Sequence, residues 1–154
     1  MAFVQKIDPS DYIGTFPIKN AEAISEGDLT GVDSNGDALP ADMNAATPVE
    51  AKGFAYFAGT YPGRTSATGT SVRADSPRVS IYREGKLGGF SSLTIQGRVY
   101  LSGTAGGYTQ TQPSTANDLI QEVGWATSAT EVEVMVRPAV LKKQNAGTST
   151  ATLY

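Results

Sequence analysis

The sequence predicts an all-β fold: a small antiparallel β-sandwich or barrel with an extended N-terminal arm and a flexible C-terminal tail. Of 154 residues, 17 are glycine and only 18% are charged. This composition suits short strands joined by turns better than long amphipathic helices. Roughly eight short apolar segments are separated by glycine-rich turns, which is the pattern of an antiparallel sandwich or barrel. The length fits one domain.

Three parts of the chain differ in composition. Residues 1–17 are predicted to be an arm, because Asp8-Pro9 is turn chemistry and the apolar residues around it follow neither a helical nor a strand period. These apolar side chains either fold back on their own domain or lie across a neighbouring subunit, and the sequence leaves both alternatives open. Residues 18–138 form the predicted β domain. Residues 139–154 are the predicted tail, rich in Ser, Thr and Gly.

The first predicted hairpin joins a strand at residues 29–32 to a strand at residues 38–40. Asn35-Gly36 lies between them and predicts a two-residue turn with positive φ at both positions. Alternating acidic and amide residues at 33–37 also suggest a calcium-binding loop. The glycine and the last acidic ligand have the wrong spacing for an EF-hand, and no helices flank the segment, so a simple turn is favoured.

The middle of the chain predicts strands of uneven quality. Residues 49–61 read as one long strand or a strand pair, and residues 59–71 as an exposed loop without apolar periodicity. A strand at 79–83 is followed by a glycine-rich turn at 84–89. Further strand is predicted between Leu93 and Leu101, with a bulge or bend near Gly97.

The last hairpin has the clearest pattern. A short apolar strand ends near Ala126, the segment 127–130 turns, and residues 131–136 alternate between valine and more polar residues. A period of two indicates a strand with one buried and one solvated face. Residues 117–122 fit either a helical turn or a strand, and strand is favoured. Trp125 is predicted to pack in the core or at an interface.

Two segments resemble those of the small β-rich proteins that decorate or cement the capsids of tailed bacteriophages: residues 24–41 and residues 113–136. The resemblance implies a β domain, often trimeric, on the outer shell where capsomers meet. It implies the major capsid protein and further copies of the chain, as a homotrimer, as partners. The expected location is the virion, on the capsid exterior, after synthesis in the host cytoplasm.

Enzymatic chemistry is not predicted. The chain has no histidine and no cysteine, which excludes a Ser-His-Asp triad, a histidine base, thiolate metal sites and disulfides. Glu131 and Glu133 would lie about 7 Å apart on one strand face, but such spacing is also that of an ordinary solvated face. The sequence therefore predicts no catalytic residues, no cofactor and no metal. A net charge of −3 and no long apolar run predict neither nucleic-acid nor membrane binding.

Charge is unevenly distributed: residues 1–63 are acidic and residues 64–98 are basic. The two regions pair either within one subunit or between subunits, and both alternatives stay open. The predicted contact residues come from the arm and the basic segment: Phe3, Val4, Tyr12, Phe16, Arg73, Arg78, Arg83 and Lys86. Deletion of residues 1–16 is expected to leave a folded domain that attaches poorly.

A carbohydrate- or receptor-binding β module of a phage fibre or tail is the alternative function. Its support is the loop near Tyr61 together with three tyrosines on predicted strands, namely Tyr82, Tyr100 and Tyr108.

Overall fold

The computed structural model describes residues 6–44, 48–57, 64–115 and 118–141. The chain is nearly all β, and a curled antiparallel sheet forms a half-barrel, which confirms the predicted fold class. A single 3-10 turn covers Arg73–Asp75 among the described residues. The strands are β1 (Lys6–Pro17), β2 (Ala23–Ser25), β3 (Leu29–Val32), β4 (Ala38–Pro40), β5 (Gly53–Tyr56), β6 (Ser66–Thr68), β7 (Arg78–Gly88), β8 (Arg98–Leu101), β9 (Tyr108–Thr109), β10 (Leu119–Ile120), β11 (Glu122–Ala126), β12 (Glu131–Met135) and β13 (Val140–Leu141).

Strand β7 organises the main sheet. The strand order is β4-β3-β5-β7-β12-β11-β8-β9, and β1 also pairs with β7. Strand β1 pairs with β7 along its whole length. Strand β5 pairs only with residues 80–82 of β7, and strand β12 pairs only with residues 84–88. A strand has only two edges, so β5 and β12 share one edge of β7 and β1 covers the other. Two small sheets, β2–β6 and β10–β13, complete the described structure.

The sheet buries side chains on both of its faces. Phe54 belongs to the larger core cluster, with the valines of β11 and β12, and its neighbour Ala55 belongs to the smaller one. Adjacent residues of a strand point to opposite faces. The two clusters therefore lie on opposite sides of β5, and the smaller one also contains Val79 and Ile81 of β7.

The closing hairpin agrees with its predicted pattern. Strands β11 and β12 pair antiparallel, and the Thr127 N–H donates to the Glu131 carbonyl at 3.0 Å across the turn. Val132 and Val134 are fully buried, while Glu131, Glu133 and Met135 are half-buried. Residues 119–120 form strand β10, so the preference for strand over helix is confirmed.

The opening hairpin has the predicted strands but a different turn. Gly36 has φ +85°, whereas Asn35 is not among the described residues with positive φ. The Gly36 N–H donates to the Asp33 carbonyl, and the Asp33 N–H donates to the Asp37 carbonyl, so the loop has three residues. The predicted two-residue turn is wrong because the Asp33 carboxylate accepts the N–H groups of Asn35 and Asp37 and stabilises the longer loop.

Strand β7 continues through the turn predicted at residues 84–89. Gly85 does not mark a turn but lies inside the strand, where neighbouring groups leave no room for a side chain. A Cβ there would be 2.7 Å from the Asp8 carbonyl oxygen and 2.9 Å from the Phe54 ring. Of the segment 49–61, predicted as one long strand or a strand pair, the described residues 49–57 form a strand only at β5, and residues 58–61 lie outside the described chain. Strand β8 begins at Arg98 rather than near Leu93. Residues 66–68, in the predicted loop, form β6 because they pair with β2.

The described part of the predicted arm is a strand of the main sheet. Residues 6–17 pair with β7, so this part folds back on its own domain. The register shifts between Tyr12 and Gly14, and Asp11 has φ 60°, which together make a bulge in β1. At the other end, Val140–Leu141 pair with β10. Phe3, Val4 and residues 142–154 lie outside the described residues.

Candidate functional site

The predicted contact residues converge on two adjacent strands. Tyr12 and Phe16 lie on β1, and its partner strand β7 carries the basic residues Arg78, Arg83 and Lys86. Arg73 lies apart, in the 3-10 turn. The described parts of the arm and of the basic segment, predicted independently, thus lie on paired strands, while Phe3 and Val4 are outside the described chain.

The two predicted aromatic residues of β1 have different environments. The Tyr12 side chain is 55% exposed, and its hydroxyl hydrogen-bonds to that of Thr15 at 2.6 Å. Phe16 is half-buried and packs against the smaller core cluster. Phe16 therefore serves mainly to attach β1 to the domain, and Tyr12 presents apolar area to the outside.

Most of the basic side chains lie near carboxylates of the same chain. The Arg83 Nε donates to Asp11 Oδ2 at 2.8 Å, and this carboxylate raises the pKa of the Arg83 guanidinium. Arg73 forms an ion pair with Asp37. Lys86 lies in register with Asp8 on β1 and Glu133 on β12. Of the two alternatives for the uneven charge, pairing within the subunit is realised for Arg73 and Arg83.

A row of tyrosines that includes Tyr12 crosses the three strands β1, β7 and β5. The Tyr12 ring of β1 lies 5.4 Å from the Tyr82 ring of β7, and Tyr56 of β5 lies 5.6 Å from Tyr82 in an edge-to-face arrangement. Cross-strand aromatic pairs of this kind stabilise a sheet and expose ring faces at its surface. Tyr12 is the most exposed of the three tyrosines, so its ring is the one most accessible to a ligand.

Beside the bulge of β1, the surface contains a cleft of about 380 Å³. Its apolar lining comes from Ile13, Ala51, Val136 and Pro138, and its charged lining from Glu50, Lys52, Arg83 and Arg137. Ile13, the residue at the register shift, is 37% exposed. A second cleft of about 240 Å³ shares Glu50 and Lys52 with the first.

A buried glutamine joins the two walls of the larger cleft. Gln121 is fully buried, and its Oε1 accepts the Ala51 N–H at 2.8 Å. Its Nε2 donates to the carbonyl oxygens of Ala51 and Arg137, each at 2.7 Å. Glu50 adds a further link, because its Oε2 accepts the Ala139 N–H at 2.8 Å. The spacing of the walls is therefore fixed by hydrogen bonds.

The sequence did not identify four residues of this cleft region: Ile13, Lys52, Gln121 and Arg137. Segments far apart in the chain supply them, and only the sheet topology brings them together. The one local signal was the absence of a regular apolar period in residues 1–17. Because a bulge interrupts alternation, such an irregular strand is where an outward-turned apolar residue is expected.

The tyrosines that supported the alternative function are not one group. Tyr108 packs against the larger core cluster, and its hydroxyl donates to the Gly27 carbonyl at 2.6 Å. The Tyr100 hydroxyl donates to Gln112 Oε1 at 3.3 Å. Tyr82 instead joins the row with Tyr12 and Tyr56. The loop residue Tyr61 lies outside the described chain.

An acidic residue lies in the interior, away from the cleft. Asp28 is 6% exposed, and its Oδ2 accepts the Ser25 N–H at 2.8 Å. Burial raises the pKa of Asp28 to about 6, although the Ser25 hydrogen bond acts in the opposite direction. Burial, and then the nearby Asp28 charge, raise the pKa of Tyr108. Asp28 is thus a structural acid whose charge the fold disfavours.

Comparison with protein-family models, with curated proteins and with solved structures finds no match to the chain. The resemblance to capsid decoration proteins therefore stays a prediction. Across residues 6–44, 48–57, 64–115 and 118–141, no group of three or more acidic side chains is arranged to hold a metal ion. None of the helical segments in those ranges is long and apolar enough to cross a membrane.

Proposed function

We propose that the protein is a structural decoration or cement protein, which binds the outer surface of a tailed-phage head at capsomer junctions and stabilises the shell. One observation carries the proposal beyond the sequence resemblance: the consecutive residues Tyr12 and Ile13 of an edge strand are both exposed, and Ile13 lines a cleft with basic side chains. Neighbouring exposed apolar residues with charged groups at their rim are typical of protein-contact surfaces.

The proposed mechanism is interfacial rather than catalytic. Each copy contacts the major capsid protein, and association into a homotrimer multiplies contacts that are individually weak. A ligand that binds the assembled state alone adds its binding free energy to that state, so an occupied shell resists disassembly. The expected solution mass of the trimer is near three times 16.1 kDa, which light scattering measures.

The first test is attachment to capsids of the parent phage assembled without this chain. We expect saturable binding, measured by co-sedimentation, and a higher temperature of capsid disruption. A chain that never sediments with these shells would contradict the proposal.

Point variants locate the contact better than a deletion. Removal of residues 1–16 would uncover one edge of β7, because residues 6–16 pair with it. We instead expect the double variant Tyr12→Ser, Ile13→Ser to lower occupancy on capsids while the protein stays folded. Ile95→Ser is the matched control, because Ile95 is 56% exposed and lines neither cleft.

A carbohydrate- or receptor-binding role in a phage fibre or tail is the second candidate. The row of Tyr12, Tyr82 and Tyr56 favours it, because the exposed Tyr12 ring and the two half-buried rings behind it offer an apolar face with a polar edge. A glycan array distinguishes the two candidates. Binding that is lost in Tyr12→Ala would favour this candidate, and an array without hits would remove it.

A further inference from the structure

The cleft beside the β1 bulge has an excess of positive charge. Three of its lining residues are cations, Lys52, Arg83 and Arg137, and one is a carboxylate, Glu50. Lys52 pairs with Glu50 at 3.3 Å, and Arg83 pairs with Asp11. Arg137 has no ion pair among the described residues; its side chain contacts the Met135 sulfur at 3.9 Å. The cleft thus contains a guanidinium whose charge the described fold does not match.

The two adjoining clefts, together called the groove, are lined by both apolar and charged groups. Ile13 and Val136 line the larger cleft, and Val32 and Leu39 line the smaller one. The two clefts meet at Glu50 and Lys52, which line both. A groove with apolar sites on both sides of the Glu50–Lys52 ion pair, and with the Arg137 guanidinium in its larger cleft, fits an extended chain, whose side chains alternate in direction, better than a compact anion.

The groove is prepared for binding by the fold. Gln121 ties Ala51 in one wall to Arg137 in the other, and Glu50 holds Ala139. These contacts fix the backbone beneath Arg137 before a ligand arrives. A site that is already ordered loses less conformational entropy on binding.

We propose that this groove binds an extended acidic segment of the protein to which the chain attaches. A carboxylate of the segment pairs with Arg137, and neighbouring apolar side chains of the segment pack on Ile13 and Val136. The segment's negative charge is what favours it over a neutral strand, because it balances the excess cation. The identity of the partner as a capsid subunit rests on the proposed function; the chemistry of the segment does not.

The test uses the full chain and two short capped peptides. One alternates glutamate with leucine, and the other has glutamine in place of glutamate. Amide chemical shifts of the isotopically labelled protein report where each peptide binds and its Kd. Arg137→Gln is compared with Arg98→Gln, because Arg98 is an exposed arginine of β8 that lines neither cleft. Each variant is also assayed for attachment to capsids and for solution mass.

We expect the glutamate peptide to shift the amides of Ala51, Lys52 and Val136, and the glutamine peptide to bind more weakly. Loss of a charge-assisted hydrogen bond should raise Kd in Arg137→Gln about tenfold. Arg98→Gln should bind like the wild type, and the same order should hold for capsid attachment.

Other outcomes separate the two proposals. Equal peptide binding by both variants, or no shifts around the cleft, would overturn the groove assignment even if the wild type attaches to capsids. Peptide binding that depends on Arg137 without capsid attachment would support the groove and refute the proposed function. A lower solution mass of Arg137→Gln would show that a second copy occupies the groove, and would overturn the assignment to a different protein.

Discussion

Strands β12 and β1 pair with the same strand, β7, from opposite edges, yet they are built differently. β12 has five residues in strict alternation, and its two central valines, Val132 and Val134, are fully buried. β1 has twelve residues, contains Pro9, and is bulged at Ile13. Its Tyr12 side chain is 55% exposed.

The difference indicates that β12 mainly packs the core, whereas β1 exposes side chains for contact with other molecules. A strand with regular alternation gives one whole face to the core, so its side chains contribute mainly to stability. A bulge and a proline interrupt the ladder, discourage pairing with foreign strands and redirect side chains outward. We therefore expect substitutions on the β12 side to change the free energy of unfolding, and substitutions of the exposed residues Tyr12 and Ile13 of β1 to change binding.

The largest expected effect concerns the polar residue that fixes the chain after β12. Gln121→Leu keeps a similar volume but leaves the N–H and carbonyl of Ala51 and the carbonyl of Arg137 without their partner. Buried backbone groups that lose a hydrogen bond cost roughly 1–3 kcal/mol each. We expect a loss of about 4 kcal/mol in the free energy of unfolding, measured by urea denaturation.

Gln110 provides the matched control. Its side-chain amide also bonds both backbone groups of one residue, Thr94, but at an exposed position where water can replace it. Gln110→Leu should cost less than about 1 kcal/mol. Equal losses in the two variants would show that burial is not what gives the Gln121 contacts their importance.

A second test measures how the free energy of unfolding depends on pH through the buried carboxyl group of Asp28. The pKa of Asp28 is about 6 in the folded chain, above its ordinary value of 3.8, because burial disfavours the carboxylate. The folded state therefore holds the proton more tightly than the unfolded state. The resulting stabilisation is complete below the unfolded pKa and is lost as pH rises through about 6. Its full size is about 3 kcal/mol.

The Asp28→Asn variant isolates this contribution. As pH rises from about 4 to about 7, the wild type should lose up to about 3 kcal/mol in the free energy of unfolding relative to the variant. Chemical denaturation across that range measures it, and titration of all other groups cancels in the difference. A difference that does not change with pH would mean that Asp28 titrates as it does in the unfolded chain.

The sequence predicted the elements that have a regular local pattern, such as β12, better than those that depend on tertiary contacts. The closing hairpin was predicted because alternation is a local pattern that burial then reinforces. The turn of the opening hairpin was not, because the Asp33 side chain competes with the backbone preference of Asn35-Gly36. The course of β7 through Gly85 depends on the approach of β1 and Phe54, which no local pattern reveals.

The candidate site was predicted only in part. Tyr12 and Arg83 were recognised from composition and charge, and the structure places them on adjacent strands. The cleft itself was not predicted, because its lining is collected from β1, residues 50–52, β7 and residues 136–138. The bulge that turns Ile13 outward depends on the register with β7, which is a tertiary property.

The smallest expected effects come from truncating one apolar side chain in each of the two strands to alanine. Val134→Ala removes buried methyl groups from the larger core and should cost about 2 kcal/mol, through lost burial and the cavity left behind. Ile13→Ala removes more carbon but from a partly solvated position, and should cost less than about 0.5 kcal/mol. Thermal and urea unfolding measure both. If Ile13→Ala proves the more destabilising of the two, Ile13 is a packing residue and the assignment of β1 to binding fails. If it leaves stability intact and weakens attachment to capsids, the bulge has a function that its packing does not explain.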